Sequence, residues 1–85
     1  MNKKINAIVT GGASGLGEAT VKKIIDLGGS ATIFDLKDDS GNSLTEKFGD
    51  KCSYFSTDVT NEDNIKSSLE KTFSKSGPIN LLVNC

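Results

Sequence analysis

The chain has 85 residues, 10 basic and 11 acidic side chains, a formal charge of −1 and 35% hydrophobic residues. That length allows one small domain at most, and 9 glycines added to the apolar fraction give a globular rather than a disordered composition. Every basic residue is a lysine and none lies in a basic block, so the planar guanidinium suited to phosphates and base edges is missing and nucleic acid is not an expected partner.

Met1-Asn2-Lys3-Lys4 followed by Ile5 to Val9 imitates a secretory signal. The apolar stretch is interrupted by Asn6 and falls short of the ~7–15 positions a signal needs, and no Arg-rich transit segment is legible. No run approaches the ~20 apolar residues of a membrane span. Cys52 and Cys85 without any histidine make neither a disulfide framework nor a zinc site, so a reducing, intracellular compartment is expected.

Ile5 to Thr10 is a β-branched apolar run stopping at Gly11-Gly12, which predicts a strand entering a tight turn. From Gly15 to Leu27 the period changes. Leu16, Ala19, Val21, Ile24 and Ile25 make an apolar face and Glu18, Lys22 and Asp26 an opposite polar one, the pattern of an amphipathic helix stopped by Gly28-Gly29. Ser30 to Phe34 reads as a second strand ending on Asp35, and Lys37 to Asn42 as a polar loop. Leu44 and Phe48 then predict a short helix closed by Gly49.

Cys52 to Ser56 is a third strand leading to Asp58-Val59. Thr60-Asn61-Glu62-Asp63 has the form of a capping box, and Ile65, Leu69 and Phe73 at steps of four predict a third helix with Leu69 and Phe73 in the core. Gly77-Pro78 breaks that helix, and Ile79 to Asn84 is a fourth strand. Four strands alternating with three crossover helices predict an α/β fold, a partial Rossmann domain over residues 1–85 with parallel sheet order 3-2-1-4. In such a sheet a fifth strand would cover the fourth, so the pattern is expected to be cut short.

The stretch richest in chemistry is Thr10-Gly11-Gly12-Ala13-Ser14-Gly15-Leu16-Gly17, between a strand and a helix. A dinucleotide pyrophosphate sits on the exposed amides of a helix N-terminus, and side chains there would obstruct it. On this logic Gly11 makes the turn, Gly15 admits the phosphates and Gly17 lets helix and strand pack closely. The loop lacks the Gly-Lys-Ser/Thr of an ATPase phosphate loop. Asp35 lies 18 residues beyond Gly17, near the ~20-residue offset at which a carboxylate receives the adenosine ribose hydroxyls. NAD is favoured over NADP, because a 2′-phosphate would meet that carboxylate with no Arg or Lys at position 14 or 36 to neutralise it. Asp58-Val59 and Asn84-Cys85 end strands on the same sheet edge, where a nucleoside could lie between polar and apolar groups, and Cys52 lies at the opposite end.

Taken together, the glycine loop, Asp35, Asp58-Val59 and Val83-Asn84-Cys85 resemble the short-chain dehydrogenase/reductase family over the whole chain. Gly49-Asp50-Lys51-Cys52, Thr57-Asp58-Val59-Thr60 and Val83-Asn84-Cys85 are most similar to the branch acting on 3-hydroxyacyl-CoA or hydroxysteroids, which is mitochondrial. The resemblance implies a Rossmann fold, NAD binding, reversible oxidation of a secondary alcohol and a homo-oligomeric full-length protein. It also implies cofactor contacts at Ser14, Leu16, Asp35, Asp58, Val59 and Cys85. The family's catalytic Ser and Tyr-x-x-x-Lys lie further along, and here the one tyrosine, Tyr54, is followed four residues later by Asp58. No catalytic residue is therefore expected within the 85. Two other readings stay open on the residues alone: a non-catalytic nucleotide-binding module and a methyltransferase-like nucleoside site.

Overall fold

A computed structural model describes residues 4–85. In chain order the elements are β1 (Asn6–Thr10), α1 (Gly15–Asp26), β2 (Ser30–Asp35), α2 (Asp38–Phe48), a 3-10 turn (Gly49–Lys51), β3 (Cys52–Ser56), α3 (Glu62–Ser76) and β4 (Leu81–Asn84). The four strands form one parallel sheet in the order β3-β2-β1-β4, as the alternation of elements predicts. Ala7 pairs with Ala31 and with Leu81, and Ala31 with Cys52, so these positions share one sheet face.

That face carries the core. Ala7, Val9, Ala31, Ile33 and Cys52 meet Val21 and Ile24 of α1 and Leu44 of α2, all buried. Strand alternation explains the choice, since i and i+2 point to one side of the pleat. Helix α1 buries Val21 and Ile24 as its period requires, whereas Leu16 and Ala19, expected on the same stripe, are exposed.

Two boundaries differ from expectation. Asp38 to Asn42 is helical rather than looped, because Gly41 is buried against the Tyr54 ring and Leu44 in the core, while Asp38 and Asp39 favour the positive end of the helix dipole. β4 begins at Leu81, not Ile79, because Asn80 turns its side chain to the Asn6 amide and the Lys4 carbonyl. The Thr60 capping box is also corrected. The Thr60 hydroxyl donates to Asp58 instead, and Asn61 caps α3 by accepting from the Asn64 amide at 2.9 Å.

Helix α3 lies on the other sheet face, with Ile65 and Leu69 facing Ile8, Phe34 and Leu82 across an apolar groove of about 340 Å³. Its buried residues are Ser68 and Thr72, not Leu69 and Phe73, which are 38% and 59% exposed. The Ser68 hydroxyl shares a buried hydrogen bond of 2.7 Å with that of Thr57, and Thr72 donates to the Ser68 carbonyl. The polar seam draws the small residues toward Thr57, just past β3, and leaves Leu69 beside the groove. At the amino end of the sheet, the buried Asn6 donates its amide protons to the carbonyls of Ser76, Gly77 and Pro78 at 3.0, 3.2 and 2.8 Å, tying the end of α3 to β1.

Candidate functional site

Strand order reverses at β1, whose neighbours β2 and β4 are reached in opposite directions, and a parallel sheet opens a crevice at the carboxyl ends of the strands at such a point. A cleft of about 290 Å³ lies at these ends, bounded by Thr10 and Gly11, by Phe34 to Leu36, by Thr57 to Thr60 and by Cys85. It brings together Gly11, Asp35, Asp58, Val59 and Cys85, residues up to 74 positions apart in sequence.

The loop between β1 and α1 frames one side. Gly11 has φ +69°, which L side chains rarely adopt, and its amide donates to the Phe34 carbonyl at 2.9 Å, holding the loop against β2. A Cβ on Gly11 would also come within 2.8 Å of the Cys85 carbonyl. Ser14 is the N-cap of α1: its hydroxyl donates to the Gly11 carbonyl at 3.0 Å and accepts from the Gly17 amide at 3.3 Å. Gly15 and Gly17 differ in their surroundings. A Cβ on Gly17 would lie 2.3 Å from the Gly12 Cα, so helix and loop touch backbone to backbone there, whereas a Cβ on Gly15 would meet nothing within 4 Å. Open space over the first turn of a helix, with exposed amides and the positive end of its dipole, fits a pyrophosphate group. Leu16, 71% exposed, borders the same turn.

Asp35 frames the second side. Its Oδ1 accepts from the amides of Leu36 and Lys37 at 2.7 and 3.2 Å, and its Oδ2 from the Ala13 amide at 3.3 Å. A carboxylate has about four acceptor positions. Three amides therefore orient this one and leave about one acceptor position unused by them. The long Ala13 contact also links the glycine loop to the carboxylate, a coupling that spacing alone did not reveal.

Asp58 has a local role as well. Its Oδ1 accepts from the Thr60 hydroxyl at 2.6 Å and amide at 2.9 Å, and its own amide donates to Asn64 Oδ1 at 2.7 Å. The Thr60 hydroxyl, and then the Thr60 amide, hold the Asp58 carboxyl below the ordinary aspartate range. Val59, 50% exposed, supplies the apolar wall beside it. Asn84 is placed differently from the other expected residues, lining the apolar groove and accepting a hydrogen bond from the Thr10 hydroxyl. Cys85 reaches the cleft through the strand end, its amide donating to the Thr10 carbonyl at 3.0 Å.

Residues the sequence reading passed over are Thr10, Phe34, Leu36, Thr57 and Thr60, which line the cleft, and Tyr54 behind it. Leu36 had a legible signal, as a large apolar residue directly after the acidic strand end that is 61% exposed. Both cysteines are free, and burial pushes the Cys52 thiol up to about 11, so at neutral pH it is a protonated core residue and not a nucleophile. No helix among the described residues is long and apolar enough to cross a membrane.

Comparison with known proteins agrees with this geometry. The chain is 37% identical over 83 residues to the 3-hydroxyacyl-CoA dehydrogenase type-2 of Homo sapiens, covering 98% of this chain and 32% of that protein. It is 39% identical over 85 residues to the protein of the same name from Drosophila melanogaster, covering 100% and 33%. It thus spans about a third of the length of these relatives. Among solved structures, 3-hydroxyacyl-CoA dehydrogenase type-2 from Mycobacterium avium superimposes with a TM-score of 0.86 at 35% identity over 96% of this chain and 32% of that one. The 3-ketoacyl-(acyl-carrier-protein) reductase from Brucella melitensis, complexed with NADH, gives 0.89 at 25% identity over 94% and 33%. The family profile described as short chain dehydrogenase matches residues 5–85. With its strand order, glycine loop and acidic strand end in register, the chain belongs to the short-chain dehydrogenase family.

Proposed function

We propose that these 85 residues form the NAD(H)-binding part of an oxidoreductase acting on a secondary alcohol of the 3-hydroxyacyl-CoA or hydroxysteroid type. The observation that carries the reading is the meeting of the open first turn of α1 with the oriented Asp35 carboxylate across one cleft. Gly11, Gly15 and Gly17 with the Ser14 cap would hold the pyrophosphate, Asp35 the adenosine ribose, and Asp58 and Val59 the adenine. Leu16, Asn84 and Cys85 would flank the remainder of the dinucleotide. When bound, NAD supplies the acceptor for hydride from the alcohol carbon. The residues of this chain bind and orient it, and Tyr54 is engaged behind the cleft, where its hydroxyl meets Asp38 and the Asp35 carbonyl. Family membership favours this reading over a methyltransferase-like site. The relatives named for 3-hydroxyacyl-CoA support the substrate class, and a mitochondrial location and a homo-oligomeric whole protein belong to the same proposal.

Asp35→Ala tests the reading. Losing charge-assisted hydrogen bonds worth ~1.5–3 kcal/mol should weaken NAD about ten- to a hundredfold in calorimetry. An unchanged affinity would remove the ribose assignment, and no NAD binding by the unaltered protein would remove the proposal.

A further inference from the structure

Helix α2 begins without a cap. Lys37 stands at its N-cap position and makes no side-chain hydrogen bond there. The segment just before it, Leu36-Lys37, is the one whose amides orient the Asp35 carboxylate. Both residues are exposed, and the turn is held by these two amide bonds and by the Gly41 amide donating to the Lys37 carbonyl at 2.9 Å.

Tyr54 is also in place to hold this turn. It sits on β3 opposite Ile33, on the sheet face that carries α2, and its ring packs so closely on Gly41 that a Cβ there would lie 2.4 Å from the ring. Its hydroxyl lies 2.6 Å from Asp38 Oδ1 and 3.0 Å from the Asp35 carbonyl, within donating distance of both. The Asp35 carbonyl also accepts from the amide of Thr57, the residue that follows β3, at 2.9 Å. With one proton to give, the hydroxyl donates to the Asp38 carboxylate or to the Asp35 carbonyl, and so lies between the residues on either side of Leu36-Lys37, the end of β2 and the start of α2.

We infer that Tyr54 is a positioning residue for cofactor recognition, holding the turn between Asp35 and Asp38 so that the Leu36 and Lys37 amides present the Asp35 carboxylate to the ribose. The inference rests on the ribose reading of Asp35 and deepens it. Tyr54 does not line the cleft and would act only through Asp35.

The test is a double-mutant cycle on NAD affinity by calorimetry, with amide hydrogen exchange as a second readout. Tyr54→Phe keeps the ring on Gly41 and removes the hydroxyl. It should weaken NAD about five- to tenfold in the unaltered protein and less than twofold when Asp35 is already Ala. Exchange at the Leu36 and Lys37 amides should quicken in Tyr54→Phe without any nucleotide present, and Asp38→Asn should reproduce both effects in part. An equal loss of affinity with and without Asp35 would mark Tyr54 as merely structural and overturn the inference, as would unchanged affinity in Tyr54→Phe or unchanged exchange at the two amides. If instead Asp35→Ala leaves NAD affinity intact, the ribose reading itself fails, whatever the exchange data show.

Discussion

Replacing Gly15 and Gly17 separately by alanine should split binding from folding, because the two positions differ in what a methyl group would meet. At Gly17 the added Cβ would lie 2.3 Å from the Gly12 Cα and 2.6 Å from the Gly11 carbonyl oxygen, both backbone atoms. Ordinary contact begins at about 3.4 Å. The helix or the loop must move by roughly 1 Å, and overpacking of this kind typically destabilises by about 1–3 kcal/mol. In a domain of this size 1 kcal/mol moves the melting temperature by about 4–8 °C, so Gly17→Ala should melt about 4–24 °C lower. At Gly15 the Cβ enters open space and the backbone φ is not in the left-handed region. Alanine there reduces the freedom of the unfolded chain, which stabilises by about 0.4–1 kcal/mol, or a rise of about 2–8 °C. The same methyl group occupies the space assigned to the pyrophosphate. Calorimetry with NAD should therefore show affinity lost in both variants, while differential scanning calorimetry shows opposite shifts in melting temperature. Gly17→Ala melting like the parent, or Gly15→Ala binding NAD unimpaired, would refute the division of roles between the two glycines.

Two further outcomes are expected. Asn6→Ala removes a buried amide serving three carbonyls at the end of α3 and should destabilise by about 2–3 kcal/mol, a fall of about 8–24 °C in melting temperature; a fall below about 2 °C would show that water replaces it fully. Thr60→Val removes the hydroxyl that holds the Asp58 carboxyl low, so the Asp58 titration followed by NMR should move up toward the ordinary aspartate value. Because the folded-state value is depressed, the stabilisation linked to Asp58 is present above the ordinary aspartate pKa and lost as pH falls through the folded one, and Thr60→Val should shrink that acid-side loss. A titration unmoved by the substitution would show that the Thr60 hydroxyl is not the cause.

Local chemistry was enough to read the framework of the fold. A β-branched run ending in paired glycines can hardly be anything but a strand meeting a turn, and the 3.6-residue period of Val21, Ile24 and Ile25 needs no knowledge of the sheet. Alternation of such elements with short connections leaves a parallel sheet as the economical arrangement, so the order β3-β2-β1-β4 and the edge carrying Gly11, Asp35 and Asp58 were legible in advance. The tight turn at Gly11 and the close approach of helix and loop at Gly17 were legible for the same reason, since the demands of a strand-to-helix turn are local.

What tertiary structure alone decided is which of several plausible partners each polar group takes. Thr60 and Asn61 are both competent caps, and the choice of Asn61 follows from Asp58 having engaged the Thr60 hydroxyl. Leu69 and Phe73 carry the period of a core stripe, yet α3 lies with Ser68 and Thr72 inward because the Thr57 hydroxyl waits just past the end of β3, 11 positions from Ser68. Asn6 looked like a polar break in an apolar run until the end of α3 and the turn after it, 70 to 72 positions away, supplied three carbonyls for its amide. Tyr54 looked like a strand aromatic until α2 placed Gly41 beneath its ring and Asp38 at its hydroxyl. Periodicity encodes how much apolar surface an element must bury and on which side. A hydrogen bond is short-ranged and directional, so its partner is settled only when distant segments arrive within about 3 Å of each other.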